Sequence, residues 1–593
     1  MKRISFARLI TALTGAVIGF YVPYHVNSTF PVVGWDHKYY FTRLIDTHLH
    51  FRINGLSIQW YTPSFGGGLP AFAHPLNSQF SLPQLLALMI NPWTAVLLSY
   101  FVYTVIGYCA AYVFLRRSLS LHWTASTLGA ALFSANGFYL EHLANGHFNF
   151  QAFPLLPVFL AILLSSSLPI PSAAALIGLT SAVFIYSAST YPTVFTILAL
   201  LMCLPLAYLI RPSAFNWPRI AKILLFGGLL ALTINLCKLY AVNSFMRFFP
   251  RVMADRYDVP LLTAPLGLFL QLFGVMGFAP IFAFTGIKMT LIRSLLQAYT
   301  GSAVGLWELD LAMSPVIWVL LGGGLISLFW KIATQRLAVF PRRKSFWLAV
   351  GLLLLAVEIS LEFTFARGWI YPTLRELPFL QALHVNPRFG SAFIMPLAIL
   401  GAFIFSRWSA TWTEKRILVT FLPLNLLVLA SLGAYLLIPL ETLQQRNYDI
   451  SGLLTIYQRI NQGETFPIEN IGDVTDQRVF DQQTSNLKPY DTLFGYKQGN
   501  FKPQVIPGSA REVRDGAFNM TDPTGLIYPE ANHSTPWSRI PESERAQLED
   551  FLAHRQPDWN LSIGQKIANG ISLTALFANL GLLAYGLTRR KRA

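Results

Sequence analysis

Cysteine is scarce in this chain of 593 residues, and the three present are Cys109, Cys203 and Cys237. All three fall in or beside apolar segments, and the long polar stretch near the C-terminus has none. An odd number of widely spaced thiols implies neither a disulfide framework nor a zinc site. We therefore interpret the thiols as packing residues.

Charged side chains are also scarce. They make up 12% of the chain, against about 25% in soluble domains. Hydrophobic residues make up 54%, and apolar runs of about 20 residues recur along most of the sequence, the length that a bilayer-spanning helix needs. These features predict an α-helical polytopic membrane protein.

Nucleotide-binding and common hydrolytic motifs are absent from the sequence. It contains no P-loop, no GxGxxG after a strand, no HExxH and no GxSxG. ATP-driven transport and soluble-type nucleotide chemistry therefore lose support.

The net charge of +16 is unevenly distributed. Residues 441–562 carry 11 basic against 17 acidic residues, so the positive excess lies elsewhere. Much of it falls in short connectors between apolar segments, which is the positive-inside pattern. The basic balance therefore indicates topology and not a nucleic-acid partner.

Hydropathy and these connectors predict about twelve spans with both termini inside. The N-terminal run is taken as an uncleaved span and not a signal peptide, because no A-x-A site follows it. The predicted spans are 9–24, 92–115, 124–140, 150–165, 173–187, one ending at 210, one ending at 237, 314–330, 346–362, 391–405, 418–437 and 567–587.

Three parts follow from this pattern. Residues 1–440 form a transmembrane region with outer loops at 25–91 and 238–313. Residues 441–562 form a small outer domain of mixed α/β structure, and 563–593 hold the last span and a basic tail. The apolar part of the second loop, 260–282, contains Pro and Gly at its ends and inside. It predicts interfacial or re-entrant helices, with a pair of extra spans as the alternative.

The first outer loop contains an amphipathic helical pattern. One face carries apolar residues, namely Tyr40, Phe41, Leu44, Ile45 and Leu49. The other side is mostly polar, with Lys38, Arg43, Asp46 and His50. We expect a helix lying in the membrane interface with its apolar side toward the bilayer.

Asp36 opens this helix and is the candidate catalytic residue. A carboxylate at the membrane surface can act as a general base on a hydroxyl group; the alternative is a helix N-cap. Asp46 is the second candidate, but about 15 Å of helical rise separates the two carboxylates. Glycosidase carboxylate pairs lie only about 5 to 10 Å apart. A single-base mechanism therefore fits better than a two-carboxylate hydrolysis.

Arg388 lies just before the tenth predicted span, at the outer surface. Pro387 restricts the backbone there, so the arginine is held in place. A guanidinium at this position can bind phosphate oxygens bidentately. The alternative is an arginine that anchors the span by snorkelling.

Two further groups could position substrates. Glu141, His142 and His147 lie together at one predicted end of a span, where they could orient an acceptor or bind a metal. Their spacing matches no standard metal signature, so we favour interfacial hydrogen bonding. His384, in the loop before Arg388, is placed with them.

Basic residues that could attract an anionic headgroup are Lys38, Lys238, Arg247, Arg251 and Arg256, although a solvated loop explains the last four equally well.

Several stretches resemble a known family. A first span, an outer loop with an aspartate and an interfacial helix, many spans and an outer C-terminal domain resemble the GT-C membrane glycosyltransferases. The runs INGLSIQWYTPSFGGGLPAFAHP, SLPQLL, ANGHFNFQAFPLLP, STYP and LPFLQALHVNPRFG are similar to its bacterial YfhO-like branch. The resemblance covers about 1–440, and the tail matches no family.

This resemblance implies an inverting transfer of sugar from a polyprenyl-phosphate carrier to a glycan, lipid or protein acceptor. It implies that Asp36 is the base and that Arg388 lies near the lipid phosphate. It also implies a bacterial cytoplasmic membrane. Relatives of the oligosaccharyltransferase type use a metal and further acidic motifs. No matching set is present, so we predict no metal or other cofactor, with Glu308 and Asp310 in LWELD as the reservation.

Two other function classes stay open at this point. A transporter or lipid flippase should carry ionisable residues deep within its spans. Glu358 and Glu362 are the main candidates, and Glu362 lies at the end of its span. A non-catalytic envelope assembly protein would use its outer tail as the active part.

Overall fold

The computed structural model describes residues 6–248, 263–285, 291, 294–295, 297–298, 305–334, 344–377, 380–437, 446–491, 507–511, 545–557, 559 and 561–590. The described chain is mostly helical. Its α-helices are Phe6–Asn27, His37–Asn54, Leu82–Leu86, Pro92–Val113, Trp123–Ser134, Gly137–Asn145, Leu156–Leu163, Ile170–Tyr186, Thr190–Ile210, Trp217–Phe248, Ala264–Thr285, Leu306–Leu309, Val316–Ala333, Lys344–Phe365, Ile370–Arg375, Ile394–Ser409, Glu414–Leu432, Ser451–Asn461, Arg545–Leu552 and Ile563–Arg590.

Short strands and tighter helical turns connect these helices. The strands are Val32–Gly34, Tyr61–Thr62, Leu69–Pro70, Arg446–Asp449, Asn470–Gly472, Thr484–Asn486 and Gly508–Ser509. The 3₁₀ turns are Phe148–Phe150, Phe153–Leu155, Pro212–Ala214, Leu380–Ala382, Asn386–Phe393, Gly433–Leu437 and Asp476–Arg478, and Phe114–Ser118 is a π-helical turn.

Ten helices of the described chain are long and apolar enough to cross a membrane. Nine of them coincide with predicted spans, which confirms the polytopic helical fold. The predicted fourth and fifth spans correspond to shorter apolar helices, Phe148–Leu163 and Ile170–Tyr186. The tenth long helix, Ala264–Thr285, lies in the predicted second outer loop.

The predicted third span, 124–140, is not one helix. The helix Trp123–Ser134 ends before Asn136, whose side-chain oxygen accepts a hydrogen bond from the Tyr139 amide at 2.9 Å. Asn136 therefore caps a separate short helix, Gly137–Asn145, as asparagine commonly does. Because the chain changes direction at this break, the segment that carries His142 and His147 runs through the interior of the protein.

The Ala264–Thr285 helix is interrupted at Gly274, which has φ 38° and ψ −147°. A Cβ atom there would lie 2.7 Å from a carboxylate oxygen of Asp310, so glycine suits both the backbone angles and the close approach. Each half of the helix rises only about 15 Å, half of a bilayer core. This break favours the re-entrant interpretation over a straight span.

The first-loop helix forms at His37–Asn54, as predicted, but its environment differs from the prediction. Its polar side is not in water, since Asp46, His48 and His50 are all buried. The tail of the chain covers that side. Thr42 contacts the Tyr448 hydroxyl at 3.1 Å, and His48 contacts Asn461 at 3.1 Å.

The first loop and the tail are joined by backbone pairing. Strand Val32–Gly34 pairs antiparallel with Arg446–Asp449, and Phe65 forms a bridge with Asn486. In the three-stranded sheet, Asn470–Gly472 lies between Thr484–Asn486, which is parallel to it, and Gly508–Ser509, which is antiparallel. The described part of the C-terminal unit therefore has the predicted mixed α/β character and rests directly on the loop that carries Asp36.

Candidate active site

A cavity of about 760 Å³, here named the central cavity, lies where the first loop meets the ends of several long apolar helices. The first loop contributes Asp36, the Thr190–Ile210 helix contributes Tyr191, and the turn before Ile394–Ser409 contributes Arg388. Its polar lining also includes Glu308, Tyr490 and His147. Cavities of about 300 to 1,000 Å³ are typical ligand sites.

Asp36 faces this cavity and does not cap its helix. Its backbone is helical, with φ −73° and ψ −10°, and its side chain makes no capping hydrogen bond, so the N-cap interpretation is wrong. The carboxylate instead accepts a hydrogen bond from the Tyr490 hydroxyl at 2.7 Å and forms an ion pair with His147 Nε2. Two groups distant in sequence therefore hold it in place.

The surroundings of Asp36 favour its ionised form. Burial alone would raise its pKa, but the charge and hydrogen bond of His147 and the hydroxyl of Tyr490 outweigh that effect and lower the pKa below its usual value. The side chain keeps 20% of its surface exposed to the cavity. It can therefore accept a hydrogen bond from a bound hydroxyl.

Arg388 is buried and is not a snorkelling anchor. Its Nε donates to Glu308 Oε2 at 2.6 Å, and Nη2 pairs with Glu308 Oε1, so the contact is bidentate. The guanidinium also lies 4.7 Å from the ring centre of Tyr191 and 5.1 Å from that of Phe150. In the described part of the chain Nη1 makes no hydrogen bond, which leaves it for an anion in the cavity.

The turn that carries Arg388 is fixed by the same tyrosine. The backbone amides of His384 and Val385 both donate to the Tyr191 hydroxyl, at 2.9 and 3.0 Å. Asn386 donates to the Phe363 carbonyl at 2.9 Å, which ties the turn to the neighbouring span. The guanidinium is therefore positioned before any ligand arrives.

Glu308 and Asp310 have different roles. Arg388 overcomes the effect of burial and holds the pKa of Glu308 well below its usual range. Asp310 does not line the cavity: it accepts a hydrogen bond from the Tyr435 hydroxyl at 2.6 Å, and burial raises its pKa to about 7. The LWELD segment therefore supplies two cavity residues, Trp307 and Glu308, and one structural carboxylate, Asp310.

His142 and His147 lie next to Glu308. His142 Nδ1 donates to the Phe138 carbonyl at 2.8 Å, and its Nε2 lies 3.2 Å from Glu308 Oε2. Burial lowers the pKa of His142 to about 4. Gly146, with φ 100°, ends the short helix and turns the chain so that His147 reaches Asp36.

Other predicted residues lie away from this centre. Glu141 is buried against His25 Nε2 at 3.1 Å and does not line the cavity. Asp46 is buried in hydrogen bonds from Gln59, at 2.8 Å, and Ser64, also outside the cavity. Their positions are those of packing residues and not of substrate-positioning groups.

The predicted basic residues separate in the same way. Lys238 lines the cavity, but its buried ammonium group donates to the carbonyls of Phe72, His74 and Asn77, so it holds the first loop and is neither solvated nor free for a headgroup. Lys38 lies beside the site, 4.9 Å from the ring centre of Trp35. His384 is half-buried and lines the cavity. The side chain of Arg247 and all of Arg251 and Arg256 lie outside the described residues.

Among the cavity residues that were not anticipated are three aromatic ones, Tyr490, Tyr191 and Trp35. Tyr490 occurs in KPYD, which resembles an ordinary turn, and Tyr191 occurs in the STYP turn. Trp35 directly precedes Asp36 and lines the same cavity. An aromatic residue beside a candidate catalytic carboxylate was a usable signal for Trp35, whereas no local pattern connects Tyr490 to the site.

Comparison with known proteins gives distant structural neighbours. No family model and no curated protein matches the chain. A mutant form of the arabinofuranosyltransferase AftD from Mycobacteria, solved by cryo-EM, is similar at 12% identity and TM-score 0.40, over 74% of this chain and 29% of AftD. The crystal structure of ArnT from Cupriavidus metallidurans bound to undecaprenyl phosphate is similar at 14% identity and TM-score 0.35, over 84% and 88% of the two chains.

The chain spans less than a third of the length of AftD. AftD is a glycosyltransferase by name, which agrees in kind with the GT-C resemblance of the sequence, while the YfhO-like branch stays a prediction. Similarity at these TM-scores does not indicate a function for this chain, so its function is inferred from the residues of the cavity.

Proposed function

We propose that this protein is a GT-C-type membrane glycosyltransferase that moves a sugar from a polyprenyl-phosphate carrier to a hydroxyl acceptor at the outer membrane face. One observation carries the proposal: a carboxylate, Asp36, and a fixed guanidinium, Arg388, face the same cavity. Sugar transfer needs a base for the acceptor hydroxyl and positive charge for the departing phosphate.

The cavity wall suits a lipid-linked donor. Apolar side chains from two helices and from the loop before Arg388 lie beside the polar centre, namely Ile185, Leu239, Val242, Met246, Leu377 and Leu383. An isoprenoid chain can pack against such a surface while its phosphate meets the free edge of Arg388. The cavity therefore offers both a cation for the phosphate and an apolar surface for the isoprenoid chain.

The reaction follows from these positions. Asp36 takes the proton from the acceptor hydroxyl, whose oxygen forms the bond to the anomeric carbon as the bond to the phosphate oxygen breaks. Arg388 balances the charge of Glu308 through both carboxylate oxygens, which makes Glu308 a weak nucleophile toward the sugar. A single displacement with inversion is therefore the mechanism that we propose.

A transport role has less support. Glu362 is buried, and its carboxylate accepts hydrogen bonds from the amides of Trp369, Ile370 and Tyr371 at 3.0, 2.7 and 2.7 Å. It therefore caps the Ile370–Arg375 helix. Glu358 is exposed on the outside of its span. Neither carboxylate lines the central cavity, as a transported ion or headgroup would require.

The direct test uses purified protein in lipid nanodiscs with a panel of polyprenyl-phosphate pentoses and hexoses. We expect release of free polyprenyl phosphate from at least one donor when a hydroxyl-bearing envelope extract is added, measured by mass spectrometry. Movement of intact donor across a vesicle membrane without release of lipid phosphate would contradict transfer and support transport.

We propose that the protein lies in the bacterial cytoplasmic membrane with both termini cytoplasmic. In a background with the exposed Cys109 replaced by Ala, we expect Gln462→Cys to react with an impermeant thiol reagent on intact spheroplasts. Thr334→Cys, exposed after the Val316–Ala333 helix, should react only after permeabilisation. Labelling of Thr334→Cys from outside would contradict this orientation.

The tail completes the site through Tyr490, and this contact can be tested. Tyr490→Phe should lower turnover about tenfold, because a hydrogen bond to a charged group is worth about 1.5 kcal/mol or more. Donor affinity should change little. Tyr448→Phe is the matched control, since its hydroxyl bonds to Thr42 outside the cavity. Equal turnover in the two variants would exclude a role for Tyr490 in holding Asp36.

A further inference from the structure

The tautomer of His142 is fixed by its contacts. A carbonyl oxygen can only accept, so His142 Nδ1 must carry the proton that bonds the Phe138 carbonyl at 2.8 Å. In the neutral ring Nε2 then carries a lone pair. That lone pair faces Glu308 Oε2 at 3.2 Å, where two acceptors repel each other unless a positive charge lies near both.

His147 has the complementary arrangement. Its Nε2 faces the Asp36 carboxylate, which fixes a proton on that nitrogen. Its Nδ1 is buried and has no hydrogen-bond partner in the described ranges of the chain. A buried ring nitrogen without a hydrogen-bond partner is costly in either protonation state, and a ligand on that nitrogen would account for it.

We propose that His142, His147 and Glu308 bind a zinc ion. Their donor atoms all lie within 4.8 Å of one another. Two histidines and one glutamate form a known donor set of catalytic zinc sites, with ligands about 2.0 to 2.2 Å from the metal. Ligands at those distances lie roughly 3.3 to 3.6 Å apart in a tetrahedron, so only small side-chain movements would close the site.

The surroundings of the cluster match those of ligating histidines. Such histidines donate their other ring N–H to a carbonyl or carboxylate, as His142 does to Phe138 and His147 does to Asp36. Glu308 keeps lone pairs beside those that Arg388 uses, since a carboxylate has about four acceptor positions. The carboxylates of Asp36 and Glu308 carry more negative charge than the Arg388 guanidinium balances, so this arrangement of charges favours a cation.

The ion would lie in the wall of the central cavity. His147 and Glu308 line that cavity, whereas His142 lies behind them. A fourth ligand, either water or a substrate oxygen, can therefore approach from the cavity side. The proposal concerns metal binding alone and does not depend on the transfer reaction.

The test is zinc binding by the full-length protein in nanodiscs after treatment with a chelator. We expect one equivalent of zinc per chain by elemental mass spectrometry and isothermal titration. His142→Gln and His147→Gln should each weaken zinc affinity at least about 100-fold. Parent protein that takes up no zinc, or variants that bind it as the parent does, would overturn the proposal.

Two control variants separate the cluster from histidines elsewhere. His384→Gln changes a histidine of the same cavity, and His25→Gln breaks a similar histidine–glutamate contact, to Glu141 at 3.1 Å. Both should keep one equivalent of zinc. Loss of zinc in either control would place the ion elsewhere and refute this ligand set.

A measurement on the unmodified protein avoids variants that fail to fold. X-ray absorption at the zinc edge should show a shell of low coordination number with the scattering pattern of two imidazoles. Zinc should also raise the melting temperature of the parent, because a ligand that binds the folded state stabilises it. A shell of oxygen atoms alone, or a melting temperature unchanged by zinc, would refute the site.

Discussion

Replacing Asp36 with asparagine is expected to lower turnover by about 10² to 10⁴, the usual contribution of a general base. Asparagine keeps the size of the side chain and an oxygen that can accept from Tyr490, but it cannot take a proton from the acceptor. Donor affinity should stay near that of the parent. The measurement is sugar transfer by purified protein in nanodiscs, with binding of undecaprenyl phosphate, the lipid in the ArnT structure, measured in parallel.

Asp46→Asn is the matched control, because it changes a carboxylate of the same helix that lies outside the cavity. Its hydrogen bonds with Gln59 and Ser64 make a loss of stability the main expected effect, visible as a lower melting temperature. Turnover per folded molecule should be close to that of the parent. Near-parent turnover in Asp36→Asn would refute the base, and a folded but inactive Asp46→Asn would transfer that role to Asp46.

The sequence predicted the parts of the fold that depend on local composition. Apolar runs located nine of the long spans, and helical spacing located His37–Asn54. Asp36, His147 and Arg388 were chosen because each followed or preceded a span on the predicted outer side. The structure brings all three to one cavity, as that placement implies.

The contacts between distant segments could not be predicted in this way. Periodicity reports which residues share a face but not which partner covers it. The tail matches no family, so nothing indicated that it would bury the polar side of the first-loop helix or place Tyr490 against Asp36. For the same reason Glu308 was noted beside Asp310, and its pairing with Arg388 was not foreseen.

Errors at single residues have a related cause. Asp36 occupies the position of an N-cap, but its carboxylate contacts Tyr490 and His147. These two contacts take the place of the one hydrogen bond to a helix amide that a cap would accept. Lys238 follows an apolar run, where a free cation is expected. A folded turn of the first loop offers it three carbonyls instead. The sequence around one residue does not show which distant groups will bind its side chain in the folded protein.

Arg388→Lys is expected to weaken binding of undecaprenyl phosphate about 10- to 100-fold, equivalent to about 1.4 to 2.8 kcal/mol. Lysine keeps the charge but cannot hold Glu308 bidentately and offer a further N–H to a phosphate at the same time. Arg43→Lys is the matched control: Arg43 is a largely buried arginine that pairs with Asp491 at 3.4 Å and Asp476 at 3.7 Å outside the cavity. Its lipid affinity should be unchanged.

A double variant separates loss of the ligand from loss of the fold. Arg388→Met alone leaves the buried Glu308 carboxylate unpaired, which is strongly destabilising, whereas Arg388→Met with Glu308→Gln removes both charges and should recover most of the melting temperature. We expect the double variant to stay folded and still fail to bind undecaprenyl phosphate. Glu308→Gln alone, which keeps the guanidinium, should bind the lipid more tightly than the double variant. If the folded double variant binds lipid like the parent, Arg388 stabilises the wall of the cavity and does not recognise phosphate.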